Sequence, residues 1–509
     1  MPYLKHADSF WPRCLGVKLP MSSPAARPTV HRRALLTAVS ALAAAGSVFA
    51  RSALAQTAPL LPPIAPAPPP PPPVPIPPLS ASQLALAVRI LNAADTHGLP
   101  KQHFGVEDGS DRVTEALLRY ARMVHVGRLA NGDFLNEWGV RPPPYDPRPD
   151  MAAAVASDRL GAWLDSLPPP YSGYAALRRG LGAYREIAAK GGWKPIPAGP
   201  DFGLGEKGPR AAALRARLAA EDPAVDAAGP AVVDADLQQA IARAQRRLGL
   251  KPDALVTAET LAALNQPVGQ RVLQIIANLE RWRWLPPTMP STRVQVNSGA
   301  AIVTLFQDDR PVLSMKAVSG KPGDETPMLF SKIHSVVLNP PWNVPTTIAT
   351  KELWPKEKKS PGYLARNGFV VIKTEGGVRL QQKPSKSALG HYKFDFDNPY
   401  GVYLHDTPTQ STFNRYGRQA SHGCVRLEKP KALAEALLAT DPKWTPDAIA
   451  AAIDKGDTLR VRLTDQIPVF IFYWTAFASP DGSMNFRSDP YNWDRLLLQR
   501  IGVLDAPKA

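Results

Sequence analysis

Two periodicities divide the chain. From Ser82 to about Lys190 apolar residues recur every three or four positions; Leu84, Val88 and Leu91 share one face, and Val113, Leu117, Tyr120 and Val124 share another. That spacing matches the turn of an α-helix and predicts helices over about 111–129, 151–167 and 174–189, the last ended by Gly191-Gly192. Leu214 and Leu218, then Leu237, Ile241 and Leu248, then residues 258–265 predict a small separate unit of three helices. One more helix covers 268–285 and ends in Arg281-Trp282-Arg283-Trp284. Such alternation can stack on sugars, but more often packs a helix end against a neighbouring domain.

From Arg293 the period drops to two. Val294-Gln295-Val296 alternates, 301–305 is a short buried run, and 312–315 follows the turn pair Asp308-Asp309; strands recur at 335–338, 370–372 and 402–404. Short strands with Pro, Gly and Asp between them predict a mostly-β sandwich or barrel. Helices return over 430–440 and 446–455, and 467–474 is a closing strand. Within 345–369 lies a strand-poor, lysine-rich insertion carrying Lys351 and Lys356-Glu357-Lys358-Lys359, a candidate lid. The expected class is therefore α+β multidomain: a helical scaffold over 81–200, a three-helix module over 201–267, a connecting helix over 268–292, and a mostly-β catalytic domain over 293–475. A capping insertion at about 345–380 interrupts that domain, and 476–509 is read as a C-terminal tail.

The first eighty residues lie outside this scheme. His31-Arg32-Arg33 precedes an apolar run over 34–50, and Ala53-Leu54-Ala55 supplies an A-x-A cleavage site, so 1–55 reads as a secretory signal cleaved near Ala55, with Met21 as an alternative start. The run is too short and alanine-rich to favour a permanent span, so membrane anchoring is not expected. Residues 56–80 form a proline-rich linker, including the unbroken Pro68 to Pro73; such a tract extends as a stiff polyproline II spacer. Of the two cysteines, Cys14 falls in the discarded segment, and an exported chain then carries Cys424 alone. In an oxidising compartment a lone thiol is either buried or used, and the polar, glycine-flanked surroundings of Cys424 favour use. The formal charge is +16; residues 1–55 hold seven Lys or Arg against one Asp, leaving the mature chain near +10. A basic surface suits any polyanion, whether nucleic acid, anionic lipid or an acidic wall polymer, or serves solubility alone; export argues against nucleic acid, and charge does not choose among the rest.

The chemistry gathers in 401–427, GVYLHDTPTQSTFNRYGRQASHGCVRL. His405 ends the run Val402-Tyr403-Leu404, nineteen positions before Cys424, and a loop folding back there can set imidazole beside thiol. Such a pair gives a nucleophile its base. Gly423 lets the backbone approach a substrate carbonyl, neighbouring amides can stabilise an oxyanion, and Arg426 can hold a carboxylate. His422 is the rival base, with His405 favoured. His405, Asp406, His422 and Cys424 are also metal-ligand types, but no H-E-x-x-H or C-x-x-C spacing is present, and neither metal nor cofactor is expected.

Tyr403-Leu404-His405-Asp406-Thr407-Pro408 followed by Ser421-His422-Gly423-Cys424-Val425-Arg426 resembles the L,D-transpeptidase catalytic domain. Residues 278–286, 339–345 and 361–365 fit the long periplasmic members, which combine a helical scaffold, a peptidoglycan-binding module and a capping insertion; 258–265 resembles that module. Residues 382–390 depart from the pattern common before Leu-Gly in the family. The resemblance implies a periplasmic enzyme in which Cys424 attacks a tetrapeptide stem, releases D-alanine and forms a thioester. His405 serves as base, and a second stem resolves the thioester as a 3→3 cross-link. It further implies Tyr403, Ser421, His422 and Gly423 on the oxyanion or substrate side, and Arg426, Trp342 and Asn343 in the substrate cleft. A backbone carbonyl, not Asp406, is expected to orient His405. The implied partners are peptidoglycan donor and acceptor stems, with carbapenem-type β-lactams as inhibitors. A carboxypeptidase or amidase using the same acyl-enzyme, or a non-catalytic wall-binding scaffold, are the competing readings.

Overall fold

The computed structural model describes residues 73–505; the signal segment, Cys14 and the run Pro68–Pro72 lie outside the described residues. Five helices form the first layer: α1 (Ala81–Asn92), α2 (Ser110–Val126), α3 (Arg148–Ala156), α4 (Leu160–Ser166) and α5 (Ser172–Ala189). Ser80 caps α1 reciprocally, its hydroxyl accepting from the Gln83 amide while the Gln83 side chain accepts from the Ser80 amide. The single helix expected over 151–167 is two helices. Asp158 between them takes a positive φ of 53°, which ends α3, and Gln83 from α1 donates to its carboxylate. Leu91, Val113, Leu117, Val124 and Met151 make the core here; α2 uses the face predicted from the spacing, whereas α1 turns Gln83, Ala87 and Leu91 inward and leaves Leu84 and Val88 half-buried.

The three-helix unit is α6 (Pro209–Ala219), α7 (Ala235–Arg247) and α8 (Ala258–Leu264), packed through Leu214, Leu218, Leu237, Ile241 and Leu264. Asp234 and Thr257 cap α7 and α8 by accepting from the amides of Leu237 and Thr260. Helix α9 (Val268–Trp282) then runs through the centre of the molecule, packing on α5. Its Trp-Arg end is interior: Trp282 stacks on Trp474 at 4.5 Å, Arg283 pairs with Glu280, and Arg281 pairs with Asp494. The packing reading of that alternation is the one realised.

The strands β1 (Arg293–Asn297), β2 (Ile302–Gln307), β3 (Arg310–Gly320) and β4 (Leu329–Leu338) open the β domain. After β5 (Trp342–Asn343), the insertion contains α10 (Thr346–Ile348), α11 (Trp354–Lys359), α12 (Tyr363–Arg366), β6 (Phe369–Thr374) and β7 (Gly377–Gln382). The chain continues with β8 (Tyr392–Phe396), β9 (Leu404–His405), β10 (Gln419–Ser421), β11 (Val425–Leu427), α13 (Pro430–Leu438), α14 (Pro446–Asp454) and β12 (Leu459–Phe472). The main sheet runs β10-β3-β11-β9-β8-β4-β12-β1-β2, and β2 also pairs with β3, so the sheet closes into a barrel. Its core is aliphatic, with Val294, Val303, Ile333, Val336, Leu404, Val425 and Val469 buried.

The insertion is more structured than a lysine-rich lid suggests. Strands β5, β7 and β6 make their own small sheet, and Leu353, Leu364, Phe369 and Leu380 a separate apolar core. The segment read as a C-terminal tail is also folded through residue 505. Strands β13 (Ala476–Ala478) and β14 (Met484–Phe486) form a hairpin, and α15 (Trp493–Arg500) packs on α9. Aromatic burial explains this, because Phe486, Tyr491 and Trp493 insert into the same core as Trp282 and Trp284.

Candidate active site

Strands β9 and β11 run parallel, with Val425 opposite Leu404 and Arg426 opposite His405; β8 adds Lys393 opposite His405. Leu404, Val425 and Phe394 point into the barrel core and are fully buried. Side chains alternate across a sheet, so Tyr403, His405, Arg426 and Lys393 all face the other way, and Cys424, one step ahead of Val425, starts on that face. The five groups predicted or found here meet through β register rather than through a long loop. The Tyr403 ring lies edge-on to His405 at 5.6 Å, and its hydroxyl neighbours the Cys424 thiol.

The imidazole has a defined proton arrangement. His405 Nδ1 lies against the backbone carbonyl of Asp406, so it carries the proton and donates, which leaves Nε2 free to accept. Burial, reinforced by the charges of Arg426 and Lys393, lowers the His405 pKa to about 3. Burial also pushes the Cys424 thiol up, opposed by contact with Tyr403 and by the two nearby cations. Burial thus favours the neutral thiol and the neutral imidazole.

Asp406 is occupied elsewhere. Its carboxylate accepts from the amides of His391 and Thr407 and fills the space where a Cβ on Gly390 would sit, which fixes the turn after the atypical 382–390 segment.

The loop carrying Cys424 is fastened from beneath. Gly423 has φ +103°, a conformation that favours glycine. Ser421 is buried and turned into its own loop, its hydroxyl donating to the Cys424 carbonyl at 2.6 Å and accepting from the Gly423 amide. Thr326, fully buried, donates to the Gly423 carbonyl at 2.7 Å and accepts from the Gly320 amide at 2.8 Å. Tyr491 in turn donates to the Gly320 carbonyl at 2.6 Å.

The remaining predicted residues separate. Trp342 comes within hydrogen-bonding reach of the Tyr403 hydroxyl and so reaches the thiol's surroundings. Asn343 does not; its side chain accepts from Gln381 within the insertion's sheet. His422 is exposed and contacts Glu352 of the insertion at 2.6 Å, which joins the Cys424 loop to the insertion. Arg426 makes no ion pair among the described residues, so its charge is available beside Cys424. Sequence reasoning missed Lys393, Thr326 and Tyr491. Lys393 sits 4.2 Å over the Tyr403 ring and pairs with Asp395. The alternation Tyr392-Lys393-Phe394 could have placed it on the polar face; nothing local in the sequence marks Thr326 or Tyr491.

Comparison with known proteins matches residues 291–461 to the L,D-transpeptidase catalytic domain, spanning every strand of the barrel that bears these groups. The chain carries an L,D-transpeptidase catalytic domain. Residues 80–181, ahead of that transpeptidase domain, match the Scaffold domain. A Haemophilus influenzae protein assigned as an L,D-transpeptidase is 30% identical over 239 residues, 44% of this chain and 48% of the relative. The chain thus spans about half the length of the curated relative it matches. Among solved structures, an L,D-transpeptidase from Mycobacterium smegmatis is 18% identical, with 36% of this chain and 58% of that chain covered and a TM-score of 0.20. L,D-transpeptidase 3 from Mycobacterium tuberculosis, in complex with a faropenem-derived adduct, is 16% identical over 36% of this chain and 60% of that chain, with a TM-score of 0.20.

Proposed function

We propose that the chain is an exported, periplasmic transpeptidase that forms 3→3 cross-links between peptidoglycan stems through a thioester on Cys424. The observation that carries this reading is the common face of Cys424, Tyr403, His405 and Arg426 on neighbouring strands, with His405 neutral and its Nε2 unprotonated. In the first half-reaction Cys424 Sγ attacks the carbonyl preceding the stem's terminal D-alanine. His405 Nε2 takes the thiol proton as the S–C bond forms and delivers it to the departing D-alanine amine. In the second, the side-chain amine of a neighbouring stem attacks the thioester; His405 accepts its proton and returns it to the thiol as the C–S bond breaks. Arg426 pairs with a stem carboxylate, Trp342 lines the donor side, and backbone amides around Cys424 hold the oxyanion. Tyr403 positions the thiol against the imidazole. The module over 201–267 binds the wall polymer, and the insertion, touching His422, covers the acceptor side. Carbapenem-type β-lactams acylate Cys424.

Purified protein incubated with disaccharide-tetrapeptides tests this. Dimers lacking one D-alanine, identified by mass, are expected; tripeptides alone would reassign the enzyme as a carboxypeptidase. Replacement Cys424→Ala is expected to abolish carbapenem acylation, and undiminished acylation would remove Cys424 as nucleophile.

A further inference from the structure

A cleft of about 660 Å³ opens where the three-helix unit, the barrel and the C-terminal hairpin meet, and none of the residues around Cys424 lines it. Three guanidinium groups reach it from three parts of the fold: Arg271 from α9, Arg418 from the segment before β10, and Arg487 from the end of β14. Arg271 and Arg418 are buried, and none of the three makes an ion pair among the described residues. Their N–H groups point at neutral acceptors instead. Arg418 donates to the carbonyls of Ala317, Arg415, Ala300 and Ala301; Arg487 donates to those of Arg247 and Phe486; Arg271 Nε is buried with no partner at all.

The carboxylates nearby form no ion pair with them, although the charge of Glu221 acts on Arg271 and that of Glu428, paired with Lys316, acts on Arg418. Asp489 accepts from the Tyr473 hydroxyl and from the amides of Trp493 and Asp494. Glu221 is engaged by Arg217 and Tyr184, and Glu259 is an exposed side chain of the lining. Burial lowers the pKa of Arg271 and of Arg487 to about 10, and the charge of Arg418 adds to the lowering at Arg487. Like charges held together without an ion-pair partner favour an anion there. Exposed Arg246 adds charge to the lining, and Tyr416 at 40% exposure offers an aromatic face.

We propose that this cleft is a binding site for a carboxylate-bearing glycopeptide strand, with stem carboxylates on the arginines and a sugar ring against Tyr416. The choice of a wall glycopeptide among anions rests on the transpeptidase reading above. The site adjoins the chemistry through the backbone: Arg418 is followed by β10, which ends at Ser421, and the Ser319 amide donates to the Arg418 carbonyl. A strand held here is anchored beside the segment that leads into the nucleophile loop.

The test uses the full chain with its catalytic cleft filled by carbapenem acylation of Cys424, and titrates a labelled disaccharide-tetrapeptide against it. Binding is expected to persist after acylation and to weaken at least tenfold in Arg487→Gln and in Arg246→Gln, while acylation rates stay within twofold of the parent. The disaccharide without peptide is expected to bind more weakly than the whole probe. Arg246 is exposed, so its replacement leaves the fold intact and keeps the test valid if Arg487→Gln is unstable. Loss of binding on acylation, affinity unchanged from the parent in both variants, or displacement by inorganic phosphate as effective as by muropeptide would overturn the proposal. Should carbapenem fail to acylate Cys424, the transpeptidase reading falls separately, and the same titration on Cys424→Ala still decides the cleft.

Discussion

Thr326→Val removes one hydroxyl and keeps the side chain's shape. That hydroxyl accepts from the Gly320 amide at 2.8 Å and donates to the Gly423 carbonyl at 2.7 Å, in a fully buried position. Valine leaves both backbone groups without partners. A buried donor or acceptor left unsatisfied costs about 1–3 kcal/mol, so the pair is worth roughly 2–6 kcal/mol if nothing moves. The loop can relieve the cost by shifting, but Gly423 at φ +103° immediately precedes Cys424, and relief there displaces the thiol from His405. Each 1.4 kcal/mol diverted into the reaction barrier is about tenfold in rate. Carbapenem acylation, followed by mass against time, is expected to slow by about 10- to 100-fold, with a lower melting temperature. Thr326→Ser, which restores the hydroxyl, is expected to recover most of the rate. Acylation within twofold of the parent in Thr326→Val, at whatever melting temperature, would refute the claim that this hydroxyl fixes the nucleophile.

Three further outcomes follow from the buried charges. His405 and His97 are both held near a pKa of about 3, mainly by burial, whereas an unfolded histidine titrates near 6.5. Between those values the unfolded chain binds protons that the folded one does not, so stability is full above pH 6.5 and is lost as pH falls toward 3. Urea unfolding is expected to weaken across that window, with a shallower decline in His97→Gln; a flat profile down to pH 4 would refute it. Lys393→Met removes a cation facing both Cys424 and His405, so the alkaline limb of the acylation rate is expected to move to higher pH, and an unmoved limb would exclude an electrostatic role. Arg281→Met strands Asp494, whose pKa burial already raises to about 6, and is expected to cost about 3–5 kcal/mol in denaturant unfolding, relieved in part by Arg281→Met with Asp494→Asn.

What the sequence disclosed, and what it withheld, divides along the range of the interactions. The helical face of α2 and the alternation in β1 were legible because they are local consequences of a repeat of 3.6 or two. That His405 and Cys424 stand on one face of neighbouring strands follows from the β9–β11 register, which no spacing within the sequence fixes. Proton states were not legible: His405 is lowered by burial in the barrel and by Arg426 and Lys393 from other strands, and Cys424 is raised by burial that the same cations oppose. The 476–505 segment was misread as a tail because its Phe, Tyr and Trp residues show no period; they are placed by a core assembled from α5, α9 and β12. Tyr491 makes the consequence concrete. It lies sixty-seven residues after Cys424, yet its hydroxyl holds the Gly320 carbonyl whose amide partner, Thr326, grips Gly423. A truncation before residue 491 thus removes a support of the nucleophile loop without touching any catalytic group, and no spacing within 401–427 could have announced it.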